Sequence, residues 1–318
     1  MVNMKSLTKY SLIAVVLLLS ACGGGGGGGI SSTPAPTPTP SPTYQTFTDT
    51  TSNWQIPVTG VYGNRSYVST ASGTTFGPLT TSAKSFSGGN VSITYDAATK
   101  SYTVTDGSFT SHSYGPDQLG PPSGVESAYT TYLRGGGTTL SEQLSIYRPE
   151  GNPKNSEPAL SYTTLFMWGQ SRYVSNSDNT ETTVTSDVIY GVGGFQTLSS
   201  DMPKTGTANY SGAILGTYDK GSTIEAITGQ SFLEANFATN TVEARISVLS
   251  PTISPNISIA GGGSIAGNKF SGSMSGAGYS GAYDGAFNGP RAKEMGYSFL
   301  LANPDGSRLT GVAGGRTP

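Results

Sequence analysis

Leu233-Glu234-Ala235-Asn236-Phe237 is followed, after a short polar turn, by Val242-Glu243-Ala244-Arg245-Ile246-Ser247-Val248. Both runs alternate apolar and polar residues with a period of two. Successive side chains of a strand point to opposite faces, so this pattern puts one face in a core and the other in water. The alternation recurs downstream. Phe270, Gly272 and Met274 alternate with Lys269, Ser271 and Ser273, and Tyr283 and Phe287 face away from Asp284 and Asn288. Shared among eight strands, Thr205 to Pro318 allows about 14 residues each with turns, which suits a small antiparallel barrel. Closing the barrel removes exposed edges, a hazard in so strand-rich a chain. The one helix-like piece is Gly289-Pro290-Arg291-Ala292-Lys293-Glu294-Met295-Gly296, where an early proline and a closing glycine predict a short helical turn.

Upstream the same signals are weaker. Val91 to Tyr95 and Tyr102 to Val104, with the turn Asp96 to Lys100 between them, read as a hairpin. Leu140 to Tyr147 reads as another strand. Tyr162 to Tyr173 and Val184 to Phe195 read as a longer pair joined by the polar loop Ser175 to Thr183. Two proline-bearing segments, Tyr114 to Gly124 and Arg148 to Pro158, read as long loops. The turn-rich Ser199-Ser200-Asp201-Met202-Pro203-Lys204-Thr205-Gly206 places a domain boundary between 44–202 and 203–318. The expected fold is all-β throughout.

The N-terminus has a different character. Lys5 and Lys9 precede the apolar run Leu12 to Leu19, which is too short to span a bilayer and reads as a secretory signal over residues 1–21. Leu19-Ser20-Ala21-Cys22 resembles the lipobox of bacterial lipoproteins. Cys22 is then the lipid attachment site, and diacylation of its thiol with acylation of its amine gives stable membrane anchoring. Gly23 rather than Asp follows it, which favours the outer membrane. Seven glycines at 23–29 and TPAPTPTPSPT at 33–43 make residues 22–43 a tether, first flexible and then stiff.

Composition narrows the chemistry. Seventeen Lys and Arg stand against 19 Asp and Glu, which gives no attraction for nucleic acid. Only 11% of residues are charged, so few groups are available for acid or base catalysis. A single histidine, His112, excludes any multi-histidine metal site, and no resident cofactor is expected. With one cysteine there is no disulfide, and the core must come from packing alone. Gly276-Ala277-Gly278-Tyr279-Ser280-Gly281 matches GxGxxG, but strand-like alternation follows where a nucleotide site needs a helix. Those glycines are better read as a hairpin. No G-x-S-x-G elbow is present, and no carboxylate spacing suggests a glycosidase.

The binding candidates are four. His112, with Tyr114 nearby, has the residue types that ligate haem iron; a loop histidine without a ligand is the plainer reading. Tyr129 and Tyr132, with Tyr114, have the rigid amphipathic character of recognition patches, although tyrosines are also ordinary strand residues. The loops Ser111 to Ala128 and Arg148 to Pro158 carry a denser set of polar and aromatic groups than the barrel turns.

Three stretches of the C-terminal part carry a family resemblance. These are Met202-Pro203-x-Thr205-Gly206-x-Ala208-x-Tyr210-x-Gly212, Phe287-x-Gly289-Pro290-x-Ala292-x-Glu294-Met295-Gly296 and Gly311-Val312-Ala313-Gly314-Gly315-Arg316. Residues 203–318 resemble the barrel domain of transferrin-binding protein B and its single-lobe relatives among bacterial surface lipoproteins. The resemblance implies an eight-stranded barrel beside a strand-rich, handle-like domain at 44–202. It also implies a non-enzymatic, surface-exposed outer-membrane lipoprotein that captures a host or nutrient ligand (protein, haem or iron-related), in some relatives with an outer-membrane transporter. No ligand-contacting loop of a transferrin binder is matched, and the chain has room for one lobe. A structural or adhesive surface lipoprotein without a small ligand is the alternative, and an unrecognised carbohydrate-active enzyme the third reading.

Overall fold

A computed structural model of the chain describes residues 42–70, 73–75, 82–86, 91–106, 109–121, 128–135, 139–152, 158–221, 223–249 and 257–318. The expected signal sequence, Cys22 and the tether up to Ser41 lie outside them.

Ten strands form the first sheet: β1 (Trp54–Thr70), β2 (Gly73–Thr75), β3 (Ser82–Phe86), β4 (Val91–Asp96), β5 (Ser101–Asp106), β6 (Phe109–Tyr114), β7 (Tyr129–Gly135), β8 (Leu140–Tyr147), β9 (Thr163–Ser175) and β10 (Glu181–Gly194). Eight of them follow one antiparallel path, β6-β5-β4-β1-β10-β9-β8-β7, and β2 and β3 pair with β1 off it. The path curls into a nearly closed barrel. Its two end strands approach one another where Leu119, just after β6, bridges Tyr132 of β7. A closed antiparallel barrel follows, of β11 (Thr207–Lys220), β12 (Thr223–Asn236), β13 (Thr241–Leu249), β14 (Ile257–Ala266), β15 (Lys269–Gly276), β16 (Tyr279–Asn288), β17 (Glu294–Ala302) and β18 (Arg308–Arg316). The all-β, eight-stranded expectation is met, and each quoted alternation places its apolar members inward.

Three apolar clusters hold these layers. Tyr210, Phe270, Phe287, Tyr297 and Phe299 fill the closed barrel. Ile56, Ile93, Leu144, Phe166 and Ile189 fill the first sheet's interior. Tyr190, Val192, Leu160 and Leu165 pack with Val312, Leu215 and Leu300 between the two. Each fully buried large side chain contributes about 1.5–3 kcal/mol relative to exposure. Because a strand's two faces alternate, β9 and β10 serve two cores at once. Phe166, Trp168 and Ile189 point into the sheet's own interior, while Leu165, Met167 and Tyr190 point at the barrel.

The GxGxxG segment is the β15–β16 hairpin, with Ala277 at φ 52° and Gly278 at φ 86° in its turn, as the hairpin reading requires. The predicted helical turn is smaller than expected. A 3-10 turn covers Pro290–Ala292 only, and Glu294 already belongs to β17. Positive φ at Arg291 (53°) and Ala292 (57°) stops it from growing into a helix. The long-loop expectation is corrected as well. Ser111 to Tyr114 belongs to strand β6, and Pro116–Gln118 is a 3-10 turn. Residues 122–127 and 153–157 of the two loops lie outside the described residues.

Candidate functional site

His112 and Tyr114 stand on β6 opposite Val104 and Tyr102 of β5 and face the first sheet's interior. His112 Nδ1 lies 2.7 Å from Glu142 Oε1, a close approach not aligned as a hydrogen bond. Gln170 Nε2 donates to the same oxygen at 2.7 Å. Tyr114 donates to Glu142 Oε2 at 3.4 Å and accepts from Trp168 Nε1 at 2.6 Å. Glu142, a buried carboxylate on β8, therefore ties together β6, β8 and β9, strands that are not all neighbours in the sheet. The polar row continues by register through Gln170 to Asp187 and Asn64. Asp187 accepts from the Tyr62 hydroxyl and from Asn64 Nδ2, each at 2.5 Å. Burial holds the Tyr62 and Tyr114 phenols well above their usual range, so both are neutral donors at any physiological pH.

The four candidates are thus not brought together on one surface. Tyr114 is fully buried, and Tyr132 is buried against Tyr102 at 5.7 Å between ring centroids. Tyr129 points the other way and packs edge-on against Tyr147 in the cluster between sheet and barrel. His112 keeps 18% of its side chain exposed, and Tyr129 is likewise only partly buried. The Tyr114 hydroxyl is engaged with protein groups, and His112 Nδ1 stands against Glu142. Among the described residues no group of three or more His, Cys, Asp or Glu side chains is placed to hold a metal ion. Glu142 and Asp187 belong to no sequence motif. Their one signal is an inward position in strands that otherwise place apolar residues there.

The outer face of the first sheet and the barrel wall enclose a cleft of about 500 Å³. Met167 and Val188 of the sheet face Ile224, Ala226 and Thr310 of the barrel across it. Tyr190 hydrogen-bonds Thr217 of β11 there, joining sheet to barrel, and burial raises its phenol pKa. Arg308 holds Asp219 through Nε at 3.0 Å and Nη2 at 2.9 Å.

Sheet and barrel are clasped by the segment containing Gly289 and Glu294. Glu294 is 1% exposed. Its Oε1 accepts the Ser161 N–H at 2.7 Å and its Oε2 the Tyr162 N–H at 2.9 Å. Burial raises its carboxyl pKa, the two backbone donors opposing that shift. Gly289 adopts φ +73°, and a Cβ there would stand 2.5 Å from the Tyr162 ring. Thr197 Oγ1 donates to the Gly289 carbonyl at 2.6 Å and Asn288 Nδ2 to Thr163 Oγ1 at 2.9 Å. Asp201 Oδ2 accepts from both the Tyr44 hydroxyl and the Arg291 N–H at 2.9 Å. Of the residues that carry the resemblance, Gly289 and Glu294 join barrel to sheet, while Tyr210, Phe287, Ala292 and Met295 pack in the barrel's own core.

Residues 202–317 match the family described as the C-lobe and N-lobe β-barrels of transferrin-binding protein B. The matched residues span the closed C-terminal barrel. Among solved structures, the apo haemoglobin receptor HpuA of Kingella denitrificans is 15% identical, covering 87% of this chain and 94% of that one, with a TM-score of 0.41. The same receptor in complex with human haemoglobin is 14% identical over 88% and 95%, at 0.42. Transferrin-binding protein B of Neisseria meningitidis is 12% identical over 83% and 77%, at 0.33. No curated protein matches the chain. The structural likenesses are distant, and the family match rests on the barrel.

Proposed function

We propose that the chain is a non-enzymatic surface lipoprotein, anchored to the outer membrane through Cys22, that captures an iron- or haem-carrying host protein. The match of residues 202–317 to the transferrin-binding protein B barrels carries this reading. The lipobox and tether support display away from the membrane. Among the described residues, the neutral buried phenol of Tyr114, the Arg308-paired Asp219 and a single histidine beside Glu142 supply no activated nucleophile, which supports binding over catalysis.

The binding face is assigned to the seam side of the first sheet. There Leu119 (59% exposed) and Leu133 (44% exposed) stand on the two facing edges of the seam. Exposed apolar side chains beside a connecting segment on a rigid scaffold are the usual setting of a recognition site. A passive or adhesive surface protein is the competing reading. Replacement of 121–127 by a Gly-Ser linker, which spares strand β6, tests the assignment. Loss of ligand capture by a variant with unchanged circular dichroism supports this face; unchanged capture moves the site elsewhere.

A further inference from the structure

The cleft between sheet and barrel has a graded lining. Along β10 and its partners the register runs from Tyr190, opposite Val61 and Met167, through Val188, opposite Gly63 and Gly169, to Ser186, opposite Arg65 and Ser171. The Tyr190–Thr217 hydrogen bond joins the two walls at the first of these positions. Arg65 stands four residues further along, about 13 Å at the rise of a strand. The lining between them is largely apolar or small, from Met167, Val188, Gly63 and Gly169 on one side and Ile224 and Ala226 on the other.

The charges of the cleft are unequal in their satisfaction. Asp219 is neutralised by Arg308. Asp187 and Glu142 belong to the opposite face of the sheet and are bonded there. Arg65 lies on the cleft face, is partly buried, and has no ion-pair partner among the described residues. A partly desolvated guanidinium presents paired N–H donors matched to a carboxylate. An apolar cavity of a few hundred cubic ångströms with few oriented polar groups is the usual form of a small-molecule site.

We propose that this cleft binds an amphipathic carboxylate, with Arg65 taking the anionic head and the aliphatic body lying along Val188, Met167 and Ile224 toward Tyr190. The assignment rests on the cleft alone and stands apart from the protein-capture reading. Isothermal titration with decanoate is the test, with 1-decanol and decyltrimethylammonium as probes of the same chain. The expected result is one-to-one saturable decanoate binding below the micellar range, at least tenfold weaker for the alcohol and absent for the cation. Arg65→Gln weakens decanoate binding at least tenfold, Arg65→Lys retains part of it, and Ala226→Trp, which fills the cleft from the barrel's outer face, abolishes it. Circular dichroism and melting of each variant establish that the fold is kept. Absence of saturable decanoate binding to the unaltered chain overturns the proposal, as does equal binding of decanol or an unchanged affinity in a folded Arg65→Gln variant.

Discussion

Replacing Glu294 with alanine removes the acceptor for two backbone N–H groups, those of Ser161 and Tyr162, at a position shut off from water. Each orphaned buried donor costs about 1–3 kcal/mol. Against that stands relief from holding a carboxyl group in a poorly solvated site, whose cost is visible in the raised pKa. The net loss is about 2–4 kcal/mol. For a chain of this size that lowers the melting temperature by roughly 3–7 °C. Glu294→Gln keeps the shape and one acceptor oxygen but turns its amide N–H₂ toward a donor, so it loses about half as much. The pH dependence follows from the sign of the shift. A folded pKa above the unfolded value means the folded state binds the extra proton in between, so stability falls as pH rises from the usual carboxylate range through the raised folded value. That slope disappears in Glu294→Gln. Differential scanning fluorimetry of the two variants and the unaltered chain between pH 4 and 8 reads both effects. An Ala variant melting within about 1 °C of the unaltered chain, or a Gln variant with the same pH slope, would remove Glu294 as the clasp between sheet and barrel.

Three further outcomes are expected. Glu142→Ala leaves Gln170 Nε2 and the Tyr114 hydroxyl without their shared buried acceptor and lowers stability by about 2–4 kcal/mol; a change under about 0.5 kcal/mol in urea titration contradicts this. Cys22→Ser abolishes lipidation, read by metabolic labelling with a fatty-acid analogue, and label on the variant ends the anchoring proposal. A fragment of residues 203–318 melts cooperatively but at lower temperature than the intact chain, because Leu215, Leu300 and Val312 lose their cover from the sheet; a non-cooperative fragment beside a cooperative intact chain removes the domain split.

The barrel is legible in the sequence where its strands have one face in a core and one in water, as β12, β13 and β15 do, which period-two alternation reports directly; β17 and β18, buried on both faces, alternate less. The first sheet is harder. β1 runs from Trp54 to Thr70 with Pro57, Gly60 and Gly63 interrupting its pattern, and it pairs with β4 and β10, the latter more than 100 residues away, which no local signal encodes. β6 is built of Phe, Thr, Ser, His and Tyr beside a register shift between Val104 and Asp106, so it reads as loop. Tyr114 and Tyr132 resemble surface tyrosines because sequence gives residue type and not depth. Glu294 carries the clearest family-specific signal, but its partners at 161 and 162 are visible only in three dimensions.

Capture of a host protein is the function proposed for the chain, and surface plasmon resonance reads it without an intermediary. The lipid-free chain is immobilised through its N-terminal tether and exposed in turn to purified transferrin, haemoglobin and an unrelated serum protein. Saturable, reversible binding to transferrin or haemoglobin is expected, with no binding to the control and loss of that binding when residues 121–127 are replaced. A folded chain that binds neither the iron-carrying nor the haem-carrying protein contradicts host-protein capture.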